Sequence, residues 1–193
     1  LDEIIFGDPY TLNAYANGEG GDPASQDLTS GKGGNDRIDG AGGNDWLVGD
    51  AGVISGNGIG AGRGGNDLLL GGLGDDTTYG DSDNGMSGDA WGGNDSMAGG
   101  AGNDRLIGDS YTMTDHAHGG NDLILGGSGG DGLYGDSDDE MHGSAHGGND
   151  YLDGGNGDDW LAGDSYGVMT ENSQGGNDLL RGGDGNDQLR GDT

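Results

Sequence analysis

Aspartate is the residue whose number and spacing in this sequence could do chemistry. The tetrapeptide Gly-Gly-Asn-Asp begins at Gly33, Gly64, Gly92, Gly119, Gly147 and Gly175, at intervals of 31, 28, 27, 28 and 28 residues. Its aspartates are Asp36, Asp67, Asp95, Asp122, Asp150 and Asp178. Nine residues after each comes a second turn aspartate: Asp45, Asp76, Asp104, Asp131, Asp159 and Asp187. A Gly-Asp pair then follows, at Asp50, Asp81, Asp109, Asp136 and Asp164, with further copies at Asp8 and Asp192.

Carboxylates repeated in register predict a hard cation, and Ca²⁺ fits them best. Calcium takes six to eight oxygen ligands from carboxylates and carbonyls. Glycine-rich turns can direct carbonyl oxygens inward because glycine accepts positive φ. The glycines predicted to belong to the metal sites at the second turns are Gly40, Gly71, Gly99, Gly126, Gly154 and Gly182. One ion between each pair of stacked turns would give roughly ten ions.

The elements that position these turns are very short strands. Each turn aspartate is followed two residues later by a large apolar residue, in eleven of twelve cases. These residues are Ile38, Leu47, Leu69, Met97, Leu106, Ile124, Leu133, Leu152, Leu161, Leu180 and Leu189, and Thr78 is the exception. One apolar residue in a three-residue stretch between glycine turns predicts a strand with a single inward side chain.

The composition leaves little room for an ordinary core. The chain has 193 residues with 52 Gly, a net charge of −30 and 28% hydrophobic residues. Such values are close to those of disordered chains, but disordered chains lack a strict period. A polyanion is repelled by nucleic acid. No apolar run reaches the roughly 20 residues of a membrane span, and the absence of Cys excludes disulfides and thiol chemistry.

The nine-residue unit Gly-Gly-x-Gly-x-Asp-x-U-x, where U is large and apolar, resembles the RTX (repeats-in-toxin) calcium-binding nonapeptide. The resemblance covers the chain from about Gly31 to Asp192. It implies an all-β, right-handed parallel β-roll and export of the unfolded chain by type I secretion. This sequence differs in that a loop of about ten residues expands every second turn, so that about six coils of about 28 residues are expected.

The expanded coil predicts two unlike edges. The tight edge, at the turn without a loop, holds Asp45 and its five equivalents, and the loop edge holds the Gly-Gly-Asn-Asp aspartates. The spacing leaves open whether the Gly-Asp aspartates join the loop edge. The loops also carry methionine at one equivalent place, which predicts a second apolar ladder: Met86, Met113, Met141 and Met169.

The predicted organisation is a partial repeat at residues 1–8, a long connecting loop at 9–32 and a single repeat domain at 31–193. Stacked coils end in open strand edges unless something covers them. The expectations for such ends are neighbouring repeats in a longer parent chain or end-to-end stacking into a homopolymer.

Competing sites are less well supported. Asp81 to Gly85 resembles the start of an EF-hand but lacks glycine at the sixth position and flanking helices. His118 and His146 occupy one repeat position, so a transition-metal site is conceivable, although exposed histidines are the expected state. Identical repeats argue against a unique catalytic site, so no enzyme activity is predicted.

The sequence therefore predicts a structural, calcium-binding segment of a secreted or cell-surface bacterial protein. The favoured settings are an adhesin, a surface layer or an extracellular filament, with a cell surface or polysaccharide as the partner. The alternative is the C-terminal calcium-binding region of a secreted lipase, protease or polysaccharide-modifying enzyme.

Overall fold

A computed structural model describes residues 4–6, 13–15, 27–28, 31–58 and 61–191. Its described strands are β1 (Ile4–Phe6), β2 (Asn13–Tyr15), β3 (Asp27–Leu28), β4 (Gly31–Lys32), β5 (Arg37–Asp39), β6 (Trp46–Val48), β7 (Ala51–Ile54), β8 (Gly62–Arg63), β9 (Leu68–Leu73), β10 (Thr77–Tyr79), β11 (Ser82–Met86), β12 (Ser96–Ala101), β13 (Arg105–Ile107), β14 (Leu123–Ser128), β15 (Gly132–Tyr134), β16 (Tyr151–Asn156), β17 (Trp160–Ala162), β18 (Leu179–Asp184) and β19 (Gln188–Arg190). Among these residues, no helix has the length and apolar character needed to cross a membrane.

The strands form a parallel β-solenoid of about five turns, which confirms the predicted all-β fold. The first sheet has the order β1-β5-β9-β12-β14-β16-β18, and the second has β2-β6-β10-β13-β15-β17-β19. The chain passes from a strand of the first sheet to a strand of the second. It then returns to the first sheet at the position next to the strand that it left. Pairing in register joins Ile38 to Leu69 and Ile124 to Leu152, so the coil length equals the sequence period of about 28 residues.

The segment 9–32, predicted as a long connecting loop, contains described strands. β2 pairs in parallel with β6, β3 with β7, and β4 with β8. These pairings extend the stack toward the N-terminus, so strand structure lies inside the predicted loop. The division of the chain at residues 8 and 32 stays a prediction, and the Gly-Asp copies at Asp8 and Asp192 lie outside the described residues.

The central core is the predicted ladder of apolar residues between the two sheets. Its buried members are Ile38, Leu47, Leu69, Met97, Leu106, Ile124, Leu133, Leu152 and Leu161, with Leu180 packed against them. Thr78 stands in the same register between Leu47 and Leu106 and is buried. One inward side chain per strand is sufficient because neighbouring coils stack about 4.8 Å apart.

Two further apolar ladders are present, one within the loop layer and one formed by the strands of the second sheet. One consists of Ile54, Met86, Ala90, Met113, Ala117, Met141 and Ala145, with Met169 packed against it. Parallel bridges join the methionines of successive loops, which confirms the predicted methionine ladder. The other lies under the loops and consists of Val48, Tyr79, Ile107, Tyr134 and Ala162. The loops therefore form a stacked layer with its own core.

Candidate metal centre

The tight edge is a column of aspartates from successive coils, and all of them except Asp187 are buried. The backbone N–H of Asp76 donates to Oδ1 of Asp104 at 2.9 Å, and that of Asp104 donates to Oδ1 of Asp131 at 2.8 Å. The same bond recurs from Asp45 to Asp76, from Asp131 to Asp159 and from Asp159 to Asp187. Each carboxylate is thus held by the backbone of the preceding coil, and one of its oxygens is used.

The second oxygen of these carboxylates has no hydrogen-bond donor. Within the described part of the chain, Oδ2 is buried and accepts no hydrogen bond in Asp76, Asp104, Asp131 and Asp159. Burying a polar atom without a partner is costly, and for a charged oxygen the cost is larger. A cation is the group that would satisfy a row of such oxygens.

The six glycines predicted to belong to these metal sites lie beside these oxygens. A methyl group at Gly71 would overlap Oδ2 of Asp76, and it would come within 2.7 Å of the carbonyl oxygen of Gly99. Gly40, Gly99, Gly126, Gly154 and Gly182 stand in the same relation to the aspartate five residues later. Glycine at these positions leaves a space lined by carboxylate and carbonyl oxygens. Their role as metal ligands stays a prediction.

The loop edge contains two aspartate columns. In the Gly-Gly-Asn-Asp column, the backbone N–H of Asp95 donates to Oδ1 of Asp122 at 2.7 Å, and that of Asp122 donates to Asp150 at 2.8 Å. The same bond joins Asp36 to Asp67, Asp67 to Asp95 and Asp150 to Asp178.

The Gly-Asp column accepts hydrogen bonds from the next coil. The N–H of Gly120 donates to Asp109 at 2.9 Å, and the N–H of Gly148 donates to Asp136 at 2.7 Å. Equivalent bonds hold Asp50, Asp81 and Asp164. These side chains are almost fully buried, although the sequence placed them next to a loop.

The two loop-edge columns come together. Oxygens of Asp36, Asp50 and Asp67 lie within 4.8 Å of one another, and all three residues are buried. Farther along the stack, the two columns stay within reach of each other's charge, as for Asp81 with Asp67 and for Asp109 with Asp122. Among the described residues, only the first triad brings three oxygens within 4.8 Å of one another. The spacing had left the position of the Gly-Asp aspartates open, and the structure places them beside the Gly-Gly-Asn-Asp aspartates.

Both edges strongly disfavour ionised carboxylates in the absence of a cation. Burial raises the pKa of Asp50 and of Asp104 to about 7, and that of Asp76 and of Asp131 to about 6. Burial, followed by the charge of neighbouring aspartates, raises the pKa well above the ordinary range in the most enclosed groups: Asp81, Asp95, Asp109, Asp122, Asp136 and Asp150. A bound cation would reverse this effect by favouring the charged form.

We expect acidification to weaken calcium binding. Protons and Ca²⁺ compete for the same oxygens, and pKa values of about 6 to 7 at both edges favour the protonated form of the ion-free fold below that range. The calcium concentration at half-saturation should rise at least ~10-fold between pH ~8 and pH ~6. Isothermal titration calorimetry at both pH values checks this. Equal midpoints would contradict the competition.

The histidines make contacts other than a shared metal site. The rings of His118 and His146 stack with centroids 5.1 Å apart, as their common repeat position predicts. Trp91 stacks on His118 at 4.0 Å, and burial, followed by His146, lowers the pKa of His118. His142 bonds Glu140 and Thr170. Stacked rings present their faces to one another, so the structure gives no support to a transition-metal site here.

The donors at both edges are oxygens, and several are buried without a hydrogen-bond partner. This donor set fits a hard cation such as Ca²⁺ and does not fit a metal that prefers nitrogen or sulfur ligands. A bound Ca²⁺ ion would offset the repulsion between the negatively charged aspartates of a column. The aspartates and the glycine carbonyls would hold it between consecutive coils.

Comparison with known families agrees with this geometry. The chain matches the RTX calcium-binding nonapeptide repeat (4 copies) at residues 27–53, 54–86, 91–110, 135–165 and 173–193, which together are more than half of the chain. No catalytic domain was detected in it. No curated protein and no solved structure matches it significantly. The repeated turns, the buried aspartate columns and this match lead to one conclusion: the chain belongs to the RTX calcium-binding nonapeptide repeat family.

Proposed function

We propose that this chain is a structural segment of a secreted or cell-surface bacterial protein, and that it folds and stiffens when Ca²⁺ binds. The observation that carries the proposal is the continuity of the aspartate columns. Both edges repeat the same carboxylate contacts from one coil to the next, from Asp36 to Asp178 and from Asp45 to Asp187. A single regulatory site would need only one such contact.

The proposed ligands are the three aspartate columns and the glycine carbonyls beside the tight edge. Roughly ten ions, one per coil-to-coil step at each edge, would offset about 20 of the 30 net negative charges. Because the ligands come from different coils, they are assembled only in the folded chain. Binding free energy then becomes folding free energy.

The same coupling suits secretion. RTX repeats are typical of proteins that bacteria export by type I secretion. A chain that lacks bound calcium in the cytosol would stay unfolded and pass through a secretion channel. It would fold outside the cell, where calcium is abundant.

The proposed setting is an adhesin, a surface layer or an extracellular filament. Supporting it are the uniform repeats, since the coils from Asp36 to Asp187 carry the same two edges. A cell-surface or polysaccharide partner belongs to this proposal. The competing role is that of the calcium-binding region of a secreted enzyme, and the flanking reading frame distinguishes the two directly.

A tethering experiment tests the mechanical part. The chain is placed between two stable handle domains and stretched with optical tweezers. With millimolar Ca²⁺ we expect discrete unfolding steps from a stiff segment, because each coil is joined to its neighbours by backbone bonds and ions. With a chelator we expect the smooth extension of a flexible chain. Identical force–extension curves with calcium and with chelator would contradict the proposal. Sedimentation over a concentration series in calcium tests filament formation separately.

A further inference from the structure

The two edges differ in the number of carboxylates that each coil contributes. The tight edge receives one aspartate per coil, such as Asp104. The loop edge receives two, such as Asp95 and Asp109. With one divalent ion per step, the loop edge would be neutral, whereas each step of the tight edge would carry one surplus positive charge. The electrostatic attraction for calcium is therefore stronger at the loop edge.

The Gly-Asp carboxylates lie at the junction between consecutive coils. A methyl group at Gly92 would overlap Oδ1 of Asp109, from its own coil, and would come within 2.7 Å of Oδ2 of Asp81, from the preceding coil. On its other side, Asp109 accepts the N–H of Gly120 from the next coil at 2.9 Å. Asp109 is fully buried. This carboxylate is thus shared between two Gly-Gly-Asn-Asp turns.

Oxygens without donors point to a ligand at this edge. In the described residues, Oδ1 of Asp50 and Oδ2 of Asp136 are buried and accept no hydrogen bond, and the two residues are 1% and 0% exposed. Oδ2 of Asp95, Asp122 and Asp150 is in the same state. One oxygen of Asp50 also lies within 4.8 Å of an oxygen of Asp36 and of Asp67, so this carboxylate belongs to a buried three-carboxylate cluster.

The same carboxylates close the expanded loops. Asp109 is the last residue before the loop 110–118, and Gly120 is the second residue after it. The hydrogen bond between them joins the two ends of the loop. An ion at this point would stabilise the loop layer that contains the methionine ladder and covers Tyr79, Ile107 and Tyr134.

We propose that the loop edge forms a separate class of three-carboxylate calcium sites, which fill before the tight edge and hold the expanded loops closed. Each site combines the Gly-Asp aspartate of one coil with the Gly-Gly-Asn-Asp aspartates of that coil and the next. The first is Asp36 with Asp50 and Asp67. This inference rests on the proposed calcium function and adds an order of filling to it.

Calcium titration of matched variants tests the order. In Asp109→Asn, the side-chain oxygen can still accept the N–H of Gly120, but the negative charge is lost. Asp104→Asn makes the same change at the tight edge. Asp184→Asn is the charge-matched control, because Asp184 is exposed and pairs in register with an asparagine, Asn156, one coil earlier.

Isothermal titration calorimetry should resolve two phases in the unaltered chain. Asp109→Asn should raise the half-saturation concentration of the first phase at least ~10-fold, since one of three charges at a site is lost. Asp104→Asn should shift mainly the second phase, and Asp184→Asn neither. If Asp109→Asn and Asp104→Asn instead shift one common binding phase equally, the proposed order of filling is wrong. No calcium binding by the unaltered chain would instead overturn the proposed function itself.

A second measurement leaves every aspartate in place. Trp91 immediately precedes the Gly-Gly-Asn-Asp turn that contains Asp95, whereas Trp46 and Trp160 immediately follow tight-edge aspartates. Terbium emission sensitised by Trp91 in the Trp46→Phe, Trp160→Phe double variant should saturate at a lower Tb³⁺ concentration than emission in Trp91→Phe. Saturation at the same concentration in both proteins would overturn the order of filling.

Discussion

Removing calcium with a chelator at neutral pH should unfold the whole chain, with loss of the β-sheet signal in far-UV circular dichroism. The reason is the cost of the buried charges. For Asp50 alone, the difference between an ordinary pKa of 3.8 and a pKa of about 7 corresponds to roughly 4 kcal/mol against the ionised, ion-free fold. Other enclosed aspartates in the same columns add to this, whereas a whole domain has a net stability of only ~5–15 kcal/mol.

The sign of this effect follows from the raised pKa values. An aspartate whose pKa is raised by folding favours the fold while it is protonated, and this contribution is lost as the pH rises through about 6 to 7. At pH ~8 the ion-free fold has therefore lost it at Asp50 and Asp76. Calcium restores stability because the ionised groups then have a partner.

A reversible titration checks the expectation. Adding Ca²⁺ to the chelated chain should restore the β signal cooperatively, since each coil provides ligands to the steps on both sides. An equal ionic strength of sodium chloride is the control, because general screening does not supply ligand-specific binding. A β-sheet signal that persists in excess chelator would show that the apolar ladders alone are sufficient.

Gly120→Ala should be strongly destabilising, although it adds only a methyl group. The added methyl group would land on the backbone carbonyl of Gly93 in the preceding coil. That backbone has little freedom to move, because hydrogen bonds join each coil to its neighbours. Forced overpacking costs about 1–3 kcal/mol in ordinary cores, and we expect the upper end here. The shift of the backbone would also pull apart the consecutive coils that share carboxylates at the loop edge.

The measurements are the thermal midpoint of the calcium-loaded protein and the calcium midpoint of folding. Both should show a destabilised variant: a lower melting temperature and a higher calcium requirement. Gly42→Ala is the matched control, because a methyl group there would meet Cβ of Leu73 at an ordinary distance of 3.6 Å. The free energy of unfolding of this variant should change by less than ~0.5 kcal/mol. Similar midpoints for the two variants would refute the steric explanation.

Much of this architecture could be predicted because the chain repeats. Ile38 and Leu69 occupy the same repeat position, so a parallel stack had to bring them together once the period was recognised. The tight-edge column followed for the same reason. A repeat position predicts the neighbour in the next coil with little ambiguity, since consecutive coils differ only by a translation of one strand spacing.

Burial on the outer face of the second sheet was harder to predict. The ladder of Val48, Tyr79, Ile107, Tyr134 and Ala162 was missed, although its members share a repeat position. A signal was present: these residues follow the inward position by one, on the opposite face of a strand. Without knowing that the loops fold back over the second sheet, that face looked exposed.

The sequence by itself determined the repeat, the inward apolar ladder and the aspartates that could bind a cation, because all three depend only on spacing along the chain. The tertiary structure alone decided that Asp50 meets Asp36 and Asp67, and that β2, β3 and β4 occur in a segment expected to be a loop. The physical reason is loop closure. Each expanded loop carries the chain from the end of one coil to the start of the next, and its path depends on packing between loops rather than on the period.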